Sequence, residues 1–382
     1  DEALAMILCP MCAEFHDSRA FVLRDRAGTV LAQRNPLPVD DLIPRLPAAA
    51  QQWLHNRRVA NARQRLELGA NWYCPKGHQL PEDFAETRTI VIGLIGSPQT
   101  TKTTYLGRLV SEVVDHARLS GLGIHCTLAD DESQDYYNKN MARALEQGLA
   151  PAATQPLSGE ATTRPLVVRL VAGEERANLL FFDASGENQQ STQVLAQHNP
   201  FLHALDAAIV FVTPKALTDL PAGYPLTGME ATGPRQMHQV VTNLERVLRA
   251  HPRYQGRHPA RDLPVALVLA KADELSGLLA TRTSGARAFN SLPLDRGLYS
   301  GMQQKLDAQG DLPYDLLTSY GARGIVEAVF NLTDVRSVHA VSAMGCSPDA
   351  EGRFATARPL NVTEPLLAIL WALRIVGDRD AD

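Results

Sequence analysis

Gly96-Ser97-Pro98-Gln99-Thr100-Thr101-Lys102-Thr103-Thr104 is the stretch on which the reading of this chain turns. A strand-like run, Thr89 to Ile95, precedes it, and a helix-like run, Tyr105 to His116, follows. Strand, tight loop and helix in that order suit a phosphate-binding loop. Backbone N–H groups at a helix N-terminus converge on an anion there, and the helix dipole favours its charge. In such a loop Lys102 reaches the β- and γ-phosphates of a nucleotide and the Thr103 hydroxyl ligates Mg²⁺. Taken alone, the string also fits an ordinary strand-to-helix turn. Lysine is nevertheless not background in this chain, which has only six, at positions 76, 102, 139, 215, 271 and 305.

Beyond the loop, apolar runs alternate with amphipathic ones. Strands are expected at Thr89–Ile95, Pro165–Val171, Asn178–Asp183, Ala207–Val212, Val265–Ala270 and Ser337–Ser342. Helices are expected at Lys102–His116, Gln189–His198, Arg235–Ala250, Ser319–Asn331 and Thr363–Val376. This alternation predicts an α/β fold: a mostly parallel six-stranded sheet with helices on both faces and ligands at the carboxyl ends of the strands.

Three further motifs fall at those ends. Leu179 to Phe182 is an apolar run closing on Asp183-Ala184-Ser185-Gly186. A carboxylate at Asp183 can hold Mg²⁺ through its water shell, and the Gly186 N–H can touch a γ-phosphate and release it on hydrolysis. Leu269-Ala270-Lys271-Ala272-Asp273 follows another apolar run. Asp273 can accept from both N1–H and N2–H of guanine, a pair that adenine does not offer. Val341-Ser342-Ala343 ends the last strand, where a backbone N–H of Ser342 or Ala343 can meet guanine O6. Singly these are common turns; their succession at strand ends points to a guanine-nucleotide switch.

Composition narrows the class. With 45% hydrophobic and 21% charged residues, 382 residues make a large core and about two domains, expected at 1–88 and 89–382. A net charge of −5 argues against a protein built to coat nucleic acid. No apolar run approaches the ~20 residues that span a bilayer. Five cysteines do not form a paired disulfide set, and free thiols beside a nucleotide site point to the cytoplasm.

Four of the ligand-type residues form a pattern of their own. Cys9-Pro10-Met11-Cys12 and Cys74-Pro75-Lys76-Gly77-His78 each place two soft donors on one tight knuckle, and together they suit a tetrahedral structural Zn²⁺. A redox pair at Cys9 and Cys12 is the alternative. Between the knuckles, Phe21 to Leu31 alternates like a hairpin arm and Ala48 to Leu68 reads as an amphipathic helix. The expectation is a zinc-ribbon-like module that stabilises the chain or docks a protein partner.

With these residues in view, 89–376 resembles the translation-factor- and Ras-related P-loop GTPases, and within them the bacterial double-GTPase group of predicted conflict or antiviral gene clusters. The string Ser97-Pro98 to Leu106, the two knuckles and Asn361-Val362-Thr363-Glu364-Pro365-Leu366-Leu367 carry the likeness. Three departures stand out. Thr101 occupies the usual Gly position, which reduces the left-handed freedom of the turn. Ala270 replaces an Asn that braces the base-side loops. Glu187 stands where Ras-like enzymes carry the Gln that orients the attacking water, which implies slow or partner-stimulated turnover.

The threonine that completes the Mg²⁺ shell has three candidates, Thr154, Thr162 and Thr163, in a Pro- and Thr-rich stretch after a polar helix expected at Glu132 to Gly148. Leu275 to Leu317, with Gly, Ser, Pro and charged residues around short helices, and Pro221 to Gly233 read as further excursions that act as lids or partner surfaces. The leading expectation is a GTP-hydrolysing switch. A weakly hydrolysing scaffold whose zinc module docks a protein or nucleic-acid partner is the second. A zinc-ribbon nucleic-acid binder with ATP-driven remodelling is the third, and Asp273 argues against it.

Overall fold

The computed structural model describes residues 6–12, 14–33, 69–81, 83–84, 87–98, 100–152, 164–183, 191–226, 234–250, 261–279, 292–355 and 357–377. Contacts divide the chain into two compact units, Asp1–Thr89 and Ile90–Asp382. The helix expected at Ala48 to Leu68 lies outside the described residues.

The first unit is built from short antiparallel strands. β1 (Met6–Cys9) turns back into β2 (Glu14–Asp17), with Cys9 opposite Glu14. β3 (Val22–Arg24), β4 (Val30–Gln33), β5 (Asn71–Tyr73) and β6 (Gln79–Leu80) form a second sheet in the order β4-β3-β5-β6. Among the described residues its apolar cluster is Cys9, Phe21, Leu23, Ala70, Trp72, Cys74, Leu80 and Phe84, with Phe21 and Phe84 stacked at 5.6 Å. Two of the knuckle cysteines, Cys9 and Cys74, are thus part of that cluster.

In the second unit the strands are β7 (Arg88–Ile95), β8 (Ile124–Leu128), β9 (Leu166–Ala172), β10 (Glu175–Asp183), β11 (Ala207–Val212), β12 (Val265–Leu269) and β13 (Arg336–Ala340). They form one sheet, ordered β13-β12-β11-β7-β10-β9-β8. β13, β12, β11 and β7 pair in parallel, while β9 runs antiparallel to both β10 and β8. The sheet thus has seven strands, not six. The unexpected one, β8, is short and alternates Ile124 and Cys126 inward with His125 and Thr127 outward. It is an edge strand too brief to stand out beside the continuous apolar runs.

Those continuous runs explain the double covering. In β12 both alternating sets, Val265, Leu267 and Leu269 on one side and Ala266 and Val268 on the other, are buried. The helices are α1 (Lys102–Val110), α2 (Asp131–Tyr137), α3 (Arg143–Glu146), α4 (Thr192–His198), α5 (Pro234–Ala250), α6 (Ser276–Leu279), α7 (Met302–Ser319), α8 (Arg323–Leu332) and α9 (Glu364–Ala372). Leu106 and Leu109 of α1 and Leu366, Leu367 and Leu370 of α9 share a core with Ile92, Leu94, Ile209 and Val268. On the other face Phe182 stacks on Phe201 at 4.2 Å.

Several helices depart from expectation. The one expected at Glu132 to Gly148 is split into α2, a π-turn at Asn138–Ala142 and α3, and the one expected from Ser319 starts at Arg323. α1 ends at Val110 and passes into a π-turn, Ser111–Asp115. α7 is an 18-residue helix where only short helices are expected within Leu275 to Leu317, and it continues through Gly310 and Pro313, which both disfavour a helix interior. Gly310 is there for contact: a Cβ at that position would stand 2.8 Å from the Val338 carbonyl oxygen of β13. The Asn361 to Leu367 motif is structural in part. Asn361 donates to the Ala340 carbonyl, and buried Glu364 accepts from the Leu292 N–H.

Among the described residues no helix is long and apolar enough to cross a membrane. Glycine-to-alanine changes in helices ordinarily stabilise by up to about 1 kcal/mol. Gly310→Ala is expected instead to destabilise by about 1–3 kcal/mol through the clash with β13, read as a lowered urea midpoint.

Candidate functional site

The phosphate-loop residues sit at the carboxyl end of β7, between its last residue, Ile95, and the first turn of α1. Gly96 is required by contact. A Cβ there would lie 2.7 Å from Thr100 Oγ1 and 3.2 Å from the Phe211 carbonyl oxygen. Thr100 Oγ1 donates to the Ser97 carbonyl at 2.8 Å and closes the turn. Lys102 is 6% exposed, and its ammonium donates to the Gly96 carbonyl at 2.9 Å and the Ser97 carbonyl at 3.2 Å. Gln99 lies outside the described residues; Ser97 is buried and Pro98 half-buried beside it.

Thr101 answers the question its sequence raises. It adopts φ 62°, ψ 22°, the left-handed conformation that a Gly would enter at no cost. The turn therefore keeps the glycine geometry with a β-branched residue, at a cost of about 1–2 kcal/mol. The Tyr105 N–H still donates to the Thr101 carbonyl at 2.8 Å, so α1 starts on time.

Thr103 and Asp183 meet although 80 residues separate them. The Thr103 hydroxyl donates to Asp183 Oδ2 at 2.6 Å, joining the start of α1 to the end of β10. Two hard oxygen donors side by side fit Mg²⁺, which takes one or two protein oxygens and completes its octahedron with water and phosphate. Gly186, Glu187, Thr154, Thr162 and Thr163 lie outside the described residues.

On the other side of the loop is a cleft of about 410 Å³, lined among others by Thr101, Thr104, Lys271, Asp273, Ser342 and Ala343. Strand pairing continues past β12 and β13 to build it: Val341 N–H donates to the Leu269 carbonyl and Ala272 N–H to the Val341 carbonyl. This sets Asp273 beside Ser342, whose hydroxyl donates to Asp273 Oδ1 at 2.5 Å and accepts from the Gly345 N–H at 2.8 Å. Ser342 N–H is committed to the Leu360 carbonyl, which leaves Ala343 as the backbone donor of this pair for a base oxygen. Lys271, at φ 52°, is a second non-glycine left-handed residue on the cleft. Ala270, in place of the bracing Asn, belongs to the apolar core. Sequence reasoning missed the floor and far wall of the cleft, Tyr105, Phe211 and residues from Met344 to Phe354, which carry no motif.

In the first unit the ligand atoms of Cys9, Cys12, Cys74 and His78 all lie within 4.8 Å of one another. Three thiols and an imidazole at that spacing fit Zn²⁺. The thiol of Cys9 donates to Cys12, which holds Cys12 down to about 4 and pushes Cys9 up. His16, with Nε2 3.2 Å from Cys12 Sγ, is a nearby nitrogen that was also missed. Its signal was legible: Cys12 and His16 repeat the spacing of Cys74 and His78.

The loop after β7, the Thr103–Asp183 pair and the adjoining cleft give this α/β fold a site whose shape and donors suit a nucleotide. A family model, Double-GTPase 2, matches residues 90–298, just over half of the chain, and the chain belongs to that family. GTP binding and hydrolysis are therefore its family-level activity. No curated protein matches the chain.

Replacing Thr101 by Gly is expected to be neutral or to stabilise by up to about 1 kcal/mol, since relieved strain is set against added unfolded-state freedom. A drop in melting temperature would contradict the strain.

Proposed function

We propose that this chain is a GTP-hydrolysing switch, with residues 89–382 as its GTPase domain and residues 1–88 as a zinc-ribbon-like module that docks a protein partner. The observation that carries the reading is the Thr103–Asp183 hydrogen bond beside a buried Lys102, next to a cleft holding Asp273.

Lys102 and the loop amides of Gly96 to Thr104 grip the β- and γ-phosphates. Thr103 and Asp183, with one of Thr154, Thr162 and Thr163, would hold Mg²⁺, which would supply positive charge against the phosphate oxygens. Asp273 accepts from guanine N1–H and N2–H, the Lys271 stem flanks the base, and the Ala343 N–H donates to O6. Water attacks the γ-phosphorus in line as its bond to the β,γ-bridging oxygen breaks, giving GDP and inorganic phosphate. Glu187 positions that water and the Gly186 N–H senses the γ-phosphate. Loss of the γ-phosphate releases the segments after Thr154 and Asp183.

Glu187 in place of a glutamine supports slow intrinsic turnover that a partner stimulates, for example by donating an Arg. A cytoplasmic setting is supported by the free-thiol composition, and a role in bacterial conflict or antiviral defence by the family resemblance.

Lys102→Ala is expected to weaken GTP binding by roughly 100-fold, about 3 kcal/mol, because a charge-assisted grip on two phosphates is lost. Titration with a fluorescent GTP analogue measures it, and undiminished affinity in a folded variant would refute the scheme. Glu187→Ala should leave that affinity intact and change the single-turnover hydrolysis rate.

A further inference from the structure

The cleft beside the phosphate loop has three aromatic residues on its wall: Tyr105, Phe211 and Phe354. Two of them are committed to the core. Tyr105 is 1% exposed and Phe211 0%, and their rings meet edge to face at 5.0 Å. Phe354 is only half-buried, and it comes from a different part of the chain.

The segment that delivers it is a strap clamped at three places. At its root Ser342 and Leu360 form an antiparallel bridge, and Arg358 N–H donates to the Met344 carbonyl at 2.9 Å. At its tip Asp349 closes a tight turn, accepting at Oδ1 from Glu351 N–H and from Arg353 N–H. Across the cleft, Leu149 and Arg353 form a second bridge, and Phe354 N–H donates to the Gly148 carbonyl at 2.7 Å. Gly148 has φ 68°, and a Cβ there would stand 3.0 Å from the Phe354 carbonyl, so the close approach needs glycine. Every one of these clamps uses the backbone or the side chain of another residue. The Phe354 ring contributes to none of them.

Resting on the guanine-nucleotide reading above, we infer that Phe354 is a base-positioning residue, whose ring packs against the purine in the cleft that Asp273 and Ala343 line. An aromatic face is the natural plate for a planar base, since stacking tolerates the polar edge that Asp273 reads. The backbone clamps fix the height of the ring over the cleft before any ligand arrives, which lowers the ordering cost of binding. Neither Phe354 nor the strap belongs to the span matched by the family, 90–298.

The test compares wild type, Phe354→Ala and Phe354→Trp by titration with GDP and GTP in the presence of Mg²⁺. Inorganic tripolyphosphate, used as a competitor, probes the phosphate loop alone. Phe354→Ala is expected to bind GDP and GTP about tenfold more weakly, by the same factor for both, with tripolyphosphate competition unchanged. Phe354→Trp should restore affinity, and its added fluorescence should change on addition of GDP. Wild-type affinity for GDP in Phe354→Ala would overturn the inference while leaving the switch reading intact. Equal weakening for tripolyphosphate would also overturn it, by showing a general loss of structure. A wild-type protein that binds tripolyphosphate but no guanine nucleotide would overturn the switch reading and this inference together.

Discussion

A buried ammonium has to be wrapped in oxygen, and most of the site follows from satisfying Lys102. Desolvating an isolated charge costs several kcal/mol, so the chain must turn its carbonyls inward around it. The Gly96 and Ser97 carbonyls do so, which forces the loop into a tight coil at the end of β7. That coil leaves no space for a side chain at Gly96 and demands a left-handed residue at 101. A buried charge, a glycine crowded by Thr100 and Phe211, and a strained left-handed threonine thus share one turn.

The sheet supplies the other half of the geometry. Parallel strands buried on both faces bring their carboxyl ends to a common edge, so residues distant in sequence become neighbours there. Thr103 finds Asp183, and Asp273 finds Ser342, because β7, β10, β12 and β13 end at the same edge. The described part of the first unit is arranged differently: short antiparallel strands bring three thiols and an imidazole together within 4.8 Å.

What was legible in the sequence follows the same division. β11 matches its expected span, Ala207–Val212, because a run buried on both faces has no pattern to confuse. The residues of the loop, the knuckles and the two base-side motifs do come together in the structure, because each motif groups its residue types at a short, fixed spacing. β8 was not, since five residues with one exposed face resemble a loop. α7 was hidden by Gly310 and Pro313, whose helix-breaking propensity is overridden by packing on β13. Thr101 was read as a restriction of the turn, whereas tertiary context holds it in the left-handed conformation regardless. The far wall of the cleft was illegible for a plainer reason: apolar contact has no motif.

The cleft is also divided along the chain. Thr101, Thr104 and Tyr105 line one side of it, whereas residues from Ser342 to Phe354 line the other. Even the turn at Gly96 abuts Phe211 of β11, a strand more than a hundred residues further on. A compartment assembled from such distant segments exists only once the second unit has folded as a whole.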